Sequence, residues 1–369
     1  MDSALATCID QIRAAAAQRT PLRIRGGGTK DFHGLALHGE VLSTAALSGV
    51  LSYEPSELVV TARAGTALAE LDALLAERGQ CLPFDPPHYG PSATVGGMVS
   101  AGWSGPARAS VGAVRDYVLG VGLVNGRAEH LQFGGQVMKN VAGYDVSRLV
   151  AGAWGTLGLL TEVSLKVLPV APAEATLRFE CDQATALAWL QSWGAQPLPL
   201  NASCWLEESP GQGVLYLRLR GAAAAVESAC RSLGGERLGP EAGADWVACR
   251  EQTLPWFAQR RPDHALWRLS VPQAAPALAL PEGTAPPLIE WHGGLRWVQA
   301  PLSAAEALQA RALAAGGHAQ LIRGPAGAGP VASHWGAALS PALEAVHARL
   351  KHAFDPEGIF NPGRVASTW

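Results

Sequence analysis

No other stretch of this chain sets so many glycines beside unusual neighbours as residues 134–168. It reads Gly134-Gly135-Gln136-Val137-Met138-Lys139-Asn140-Val141-Ala142-Gly143-Tyr144-Asp145, then Gly152, Gly155-Thr156-Leu157-Gly158 and Leu159-Leu160-Thr161-Glu162. Glycine accepts positive φ and lets the backbone approach a ligand closely. A glycine-dense loop that opens a helix and closes on a strand is therefore either a tight packing corner or the wall of a site for a polyanion or flat ring. Asp145 is placed to cap a short helix, 146–150. Val163, Leu165 and Val167 alternate with Glu162, Ser164 and Lys166, the period of a half-buried strand.

At 369 residues the chain exceeds the size at which one core keeps growing, so two domains are expected. A net charge of -3, with no basic cluster longer than Arg260-Arg261, argues against nucleic acid as a partner. Residues 1–20 read as an alanine-rich amphipathic helix carrying Asp2, Asp10, Arg13 and Arg19, not as a signal peptide. The most apolar internal run, 111–124, is broken by Arg115 and Asp116 and is too short to span a bilayer. The expectation is a soluble, cytoplasmic chain with no membrane span of its own, any association with an inner membrane coming through partner subunits. Six scattered cysteines without a C-x-x-C pair suit a reducing compartment and point to no metal site.

The first 170 residues read as mixed α/β. A strand at 22–25 runs into Gly26-Gly27-Gly28-Thr29, a strand at 58–62 precedes a helix at 67–78, and strands at 118–124 and 128–133 flank the hairpin signal Asn125-Gly126. After a proline-marked linker near 169–172 the order becomes strand 175–180, helix 184–192, strand 201–207, strand 213–220 and helix 222–233, a ferredoxin-like layer. Further strands are expected at 265–271 and 287–299, then a helix at 304–315, a strand at 318–323 and a last helix at 341–353. Proline and alanine crowd 272–287 and 324–332. No internal repeat is visible.

The glycine loops match neither a Rossmann G-x-G-x-x-G, because the run from Gly26 fails at its last position, nor a Walker G-K-[ST]. What remains is a phosphate cradle of another kind, with backbone N–H groups of 26–29 on one side and of 93–97 on the other. These residues carry a resemblance. Arg25-Gly26-Gly27-Gly28-Thr29, Ala93-Thr94-Val95-Gly96-Gly97-Met98, the block from Lys139 to Glu162, and Phe354-Asp355-Pro356 with Asn361-Pro362-Gly363-Arg364 resemble the FAD domain of the vanillyl-alcohol oxidase/p-cresol methylhydroxylase (PCMH) type. Pro86-Pro87-His88-Tyr89-Gly90, the 137–145 run and Leu288-Ile289-Glu290-Trp291-His292-Gly293-Gly294-Leu295-Arg296-Trp297 are similar to the family of FAD-binding E subunits of bacterial glycolate oxidases.

The resemblance implies an α+β chain. It would comprise a PCMH-type FAD-binding domain of two α/β subdomains at 1–170, a ferredoxin-like cap at 171–340, and a segment at 341–369 that returns to the FAD site. Carried over by position, Arg25, Gly26, Gly27, Gly28 and Thr29 would hold the pyrophosphate with Thr94, Gly96 and Gly97. Gly143, Tyr144, Gly155, Gly158 and Thr161 would line the adenosine or flavin side, and Asn361, Gly363 and Arg364 would return under the ring. Some members of the family attach flavin through a histidine where Thr29 stands here, so non-covalent FAD is expected; His33 is read as a loop or packing residue.

Oxidising a small 2-hydroxy acid needs a base, a cation for the carboxylate and a hydride path. The sister subunit of glycolate oxidases resembles D-lactate dehydrogenases with an H-x-G-D-G-N element; Gly316-Gly317-His318-Ala319-Gln320 lacks its Asp and Asn. His292, Arg296 and His318 are the remaining cap candidates, although His292 and Arg296 also read as a core or interface pair on one face of a tryptophan-flanked strand. Eight of the twelve tryptophans fall between 189 and 297, as interfaces favour. Two functions stay open. One is an FAD-carrying redox subunit working with a catalytic flavin subunit and an iron–sulfur subunit. The other is a structural or assembly subunit, with a stand-alone 2-hydroxy acid oxidoreductase set behind both by the degraded cap element.

Overall fold

The β-branched run that ends the glycine block lies at the centre of a five-stranded antiparallel sheet. Its order is Val50–Glu54, Val59–Arg63, Leu159–Lys166, Val118–Val124 and His130–Gly134. The structure is a computed structural model describing residues 2–35, 38–135, 144–328 and 340–365, so residues 136–143, Gly143 among them, lie outside the described residues. Residues divide into one unit of Met1–Trp103, Ala113–Val170 and Leu339–Trp369, and a second of Ser104–Gly112 and Ala171–Ala338. Ser104–Gly112, read from sequence as part of the first domain, packs with the second unit.

The expected alternation at 162–167 holds at Glu162 and Lys166, which are half-buried between buried Val163, Leu165 and Val167, and departs from expectation only at Ser164. Ser164 is buried with Val163 and Leu165, and its hydroxyl is satisfied by Thr61 Oγ1 at 2.8 Å. The hairpin at Asn125-Gly126 forms, but through a five-residue loop in which Asn125 N–H donates to Glu129 O and Ala128 takes the left-handed conformation. Gly126 serves a different end: a Cβ there would lie 2.7 Å from Asp355 Oδ1, so glycine lets the C-terminal segment pack against the loop.

The other subdomain of this unit pairs Leu22–Arg25 with Glu40–Ser43 in parallel. The helix Ser3–Gln18, capped by Asp2, buries Cys8, Ile9, Ile12 and Ala15 against Leu22, Leu42 and Phe360. These positions recur at helical spacing, and each fully buried large side chain contributes about 1.5–3 kcal/mol. The C-terminal segment runs beside Leu22, with Leu22 N–H donating to Ile359 O at 2.7 Å and Asn361 N–H to Leu22 O at 3.0 Å. It follows the helix Pro341–Phe354, and Lys351 anchors it by donating to Thr156 O, Phe360 O and the Asp355 carboxylate.

The second unit is an eight-stranded antiparallel sheet. Its first half, Ala173–Cys181, Leu200–Ser209, Gln212–Gly221 and Glu236–Arg237, has the spatial order fourth-first-third-second, with helices Gln183–Gly194 and Ala223–Leu233 in the connections. That is the expected ferredoxin-like layer. The second half, Ala265–Ser270, Leu288–Glu290, Leu295–Ala300 and His318–Arg323, has the order second-third-first-fourth, with helix Ala305–Ala314 before its last strand. The halves meet along their second strands, where Cys204 pairs with Glu290 and Trp205 with Ile289. A topological repeat is therefore present that sequence reading did not see. The second half has a proline-rich stretch at 272–287 without helix where the first half has Gln183–Gly194.

Two further differences follow. The single strand expected at 287–299 is a hairpin, broken by a 3-10 turn at Trp291–Gly293 whose three residues all have positive φ. Trp205, Trp246, Trp267, Trp291 and Trp297 are buried, so most of the tryptophan concentration is core.

Candidate functional site

A cleft in the first unit is built where the strand Leu22–Arg25 ends. Gly26 to Asp31 form one wall, Thr94 to Ala101 another, and Trp154, Gly155, Asn361 and Arg364 close it. The glycines are required by close approach: a Cβ on Gly27 would sit 1.5 Å from Ser92 O, and one on Gly26 2.4 Å from Thr94 Oγ1. Gly28 has φ +71, open to glycine at no steric cost. The N–H groups of Gly27, Gly28 and Thr29 find no acceptor among the described residues. Unpaired backbone donors facing an open cleft are suited to phosphate oxygens.

The opposite loop works differently from the sequence expectation. Thr94 caps the helix Val95–Ala101 by accepting from Gly97 N–H at 3.1 Å, Gly96 N–H donates to Ala64 O at 2.7 Å, and Val95 N–H to Thr66 O at 2.9 Å. The donors expected of Gly96 and Gly97 are thus used within the protein. A Cβ on Gly96 would lie 2.6 Å from Ala64 Cβ, so this glycine seats the helix against 64–66.

Asn361 ties the C-terminal segment into the cleft. Its Oδ1 accepts from Ile24 N–H at 2.8 Å and its Nδ2 donates to Trp154 O at 2.7 Å, while its backbone is left-handed at φ 43. Arg364 donates to Lys30 O at 2.9 Å and lies 5.0 Å from the Trp154 ring centroid. Burial lowers its guanidinium to about 10, opposed by the charge of Asp31. Arg25 pairs with Asp31 at 2.8 Å. Arg364 nonetheless stays charged at neutral pH and lines the cleft together with Arg25, which gives it the sign a diphosphate requires.

Of the residues expected from sequence, Arg25, Gly26, Gly27, Gly28, Thr29, Thr94, Gly96, Gly97, Gly155, Asn361 and Arg364 meet in this cleft. Four do not line it. Tyr144 is 95% exposed, Thr161 is buried with its hydroxyl on His130 Nε2, Gly158 sits against Val124 O at the entry to the central strand, and Gly363 makes a turn beside Leu35. Gly143 is not described. Sequence reading missed Thr44, Ala64 and Ser100, which only tertiary packing brings here, and Trp154, whose place between Gly152 and Gly155 was a usable signal. His33 is buried and packs against Trp154 and Trp103 at 4.6 and 5.0 Å between ring centroids.

The cap candidates are not brought together. His292 lies in the 3-10 turn at φ 53, so the shared strand face read from sequence does not exist; its Nε2 meets Ser110 Oγ at 2.8 Å, and burial lowers it to about 4. Arg296 is 1% exposed, donates to Ala275 O, and is lowered by burial to about 10. His318 is exposed at the start of the outer strand. Arg296 aligns with Leu269 and Ala319, whereas His318 aligns with Ser270, one step along. Successive residues of a strand point to opposite faces, so Arg296 and His318 are on opposite sides of the sheet.

Residues 5–134 match the family model described as FAD binding domain. The solved structure of alkyldihydroxyacetonephosphate synthase is similar at TM-score 0.65 and 15% identity, over 97% of this chain and 74% of that one. This likeness, with the domain match, shows the fold as a PCMH-type FAD-binding domain joined to a cap. Glycolate oxidase subunit GlcD of Bacillus subtilis (strain 168) is 32% identical over 161 residues, 43% of this chain and 34% of that protein. Glycolate oxidase subunit GlcE of Escherichia coli (strain K12) is 44% identical over 359 residues, 97% of this chain and 96% of its own length. At that identity over nearly the whole of both chains, the protein belongs to the GlcE family of glycolate oxidase subunits.

Proposed function

We propose that this chain is the FAD-binding subunit of a multi-subunit enzyme that oxidises glycolate to glyoxylate. In this reading it holds a non-covalent FAD and relays electrons between a catalytic flavin subunit and an iron–sulfur subunit. The observation that carries the cofactor part is the cleft: three unpaired backbone donors at Gly27 to Thr29, the buried Arg364 with the exposed Arg25, and glycines at which any side chain would collide with the facing loop. Bound FAD supplies two-electron oxidation and one-electron release.

The residues divide the work. Gly27, Gly28 and Thr29 N–H groups, with Arg25, would neutralise the diphosphate. Arg364, held by Lys30 O and Trp154, would keep a fixed positive charge on the cleft wall, which favours an electron-rich state of whatever ring lies against it. Thr29 offers no nucleophile of the imidazole kind, which supports a non-covalent attachment. Substrate oxidation is assigned elsewhere in the complex, because the described residues of the cap supply no assembled base and carboxylate anchor. A His292 that ionises only near pH 4 would be neutral, yet its Nε2 already faces Ser110, and Arg296 and His318 are on opposite sides of the sheet.

The test is the visible spectrum of the purified full-length chain after FAD reconstitution, followed by glycolate with and without partner subunits. Flavin bands that glycolate bleaches only with the partners present are expected. No bound flavin after reconstitution overturns the redox reading and leaves the assembly role; bleaching in the isolated chain overturns the division of labour.

A further inference from the structure

Five aromatic side chains of the first unit form an unbroken contact series that starts at the cleft. Trp154 lines the cleft; its ring centroid is 5.4 Å from that of Trp103, which is 5.9 Å from Tyr89 and 6.0 Å from Phe32, and Tyr89 and Phe32 are 5.6 Å apart. His33 fills the angle between the two tryptophans. Trp154 is buried, whereas Trp103, Tyr89 and Phe32 are half-buried, so the series runs from an interior wall toward solvent. All these separations fall in the range of direct aromatic contact.

The backbone is bent to make this arrangement. Trp154 and Tyr89 both hold left-handed conformations, at φ 54 and 56, which bulky residues rarely adopt. Cations sit at both ends, Arg364 5.0 Å from the Trp154 ring and Lys30 5.2 Å from the Tyr89 ring. A positive charge over an indole or phenol makes that ring harder to oxidise. The rings are therefore suited to serve as a bridge of electronic coupling, without themselves being oxidised.

We propose that Trp154, Trp103 and the Tyr89–Phe32 pair form the electron exit from the cleft to a one-electron carrier protein at the surface, an inference that rests on the flavin reading above. In balance, reduced FAD (FADH2) gives one electron to each of two oxidised carriers and two protons to solvent, and returns to FAD. Trp103 acts through its neighbours and is a positioning residue for the coupling. It does not line the cleft, so it can be changed without touching the cofactor wall.

The experiment uses the full-length chain loaded with FAD, its flavin-to-protein ratio measured first, then reduced with dithionite and freed of excess reductant. Oxidised cytochrome c, too large to enter the cleft, is mixed in, and dissolved oxygen is the small-oxidant control. Trp103→Leu is expected to slow cytochrome c reduction about tenfold, equivalent to about 1.4 kcal/mol of barrier, with flavin content and the oxygen reaction unchanged. Trp103→Phe is expected to restore most of the rate. A second readout is flavin fluorescence, which a contacting indole quenches by electron donation to the excited ring; Trp154→Phe is expected to lengthen its lifetime.

Equal rates in wild type and Trp103→Leu, equal loss in the Leu and Phe variants, or a wild type that reduces oxygen but not cytochrome c each overturn the exit route and leave flavin binding standing. Should Trp103→Leu lose its flavin, the outer pair Tyr89→Leu/Phe32→Leu takes its place with the same expected result. A wild type that retains no FAD overturns the flavin reading itself, an outcome the initial ratio separates from the others.

Discussion

Replacing Asn361 with alanine tests whether the C-terminal segment builds the cleft or only rests on it. The Asn361 side chain is 3% exposed and satisfies two backbone groups, the part-buried Ile24 N–H and the buried Trp154 C=O. Leaving each of these without a partner costs about 1–3 kcal/mol. The left-handed backbone at φ 43, which asparagine tolerates, costs alanine a further 1–2 kcal/mol or so. The expected loss is therefore about 3–8 kcal/mol from a total stability that in most domains is only about 5–15 kcal/mol. Asn361→Gly removes the backbone penalty but not the two orphaned groups, so about 2–6 kcal/mol is lost.

The assay is thermal unfolding of the FAD-loaded chain followed by flavin release, which reports on the cleft-bearing unit alone. At about 2–4 °C per kcal/mol for a unit of this size, Asn361→Ala is expected to lower the midpoint by at least about 6 °C, with Asn361→Gly in between. The reasoning is falsified if Asn361→Ala shifts the midpoint by less than about 2 °C, since an error of that size means that neither bond is made.

Three further outcomes are expected. Gly27→Asp, which forces a side chain onto Ser92 O and sets a carboxylate toward the phosphate wall, is expected to abolish FAD retention; unchanged absorbance per mole of protein would show the first loop is misassigned. Glu290 is fully buried among Cys249 and Trp297, and burial pushes it from its ordinary 4.5 up to about 7 against the pull of those donors. A raised carboxyl contributes stability below about pH 4.5 and loses it as the pH rises toward 7, so Glu290→Gln should gain on wild type by on the order of 3 kcal/mol between pH 5 and 8. Denaturant melts of cap tryptophan fluorescence at the two pH values measure this; a constant difference would sink it. His292, lowered to about 4, acts in the opposite sense and is common to both proteins. Lys351→Met leaves the buried Asp355 carboxylate with its two backbone donors but without its cation, and two carbonyls without their donor, at about 3–5 kcal/mol, and should expose the segment after 354 to protease before the rest unfolds; equal cleavage rates would argue against the anchor.

The chain's glycine loops and the tail motif were legible because their chemistry is local. Gly26 to Thr29, Thr94 with Gly96 and Gly97, and Asn361 with Arg364 needed no partner to be recognised, and tertiary structure brings them to one cleft. The cap's first half was legible for the same reason, since its strand and helix periods are regular. Tyr144, Gly158, Thr161 and Gly363 share the glycine-rich neighbourhood of the site without lining it, and nothing in spacing tells a turn glycine from a cradle glycine.

By itself, then, the sequence determined the α+β plan, the positions of the glycine loops, the FAD class and the family, because each is written in short-range pattern. Tertiary structure alone decided three other matters: that the cap is a doubled layer, that Trp154 and Trp103 stand between cleft and surface, and that Arg296 and His318 face apart. The physical reason is strand geometry. A one-residue change of register reverses the face a side chain occupies, and register is set by partners far away in the chain.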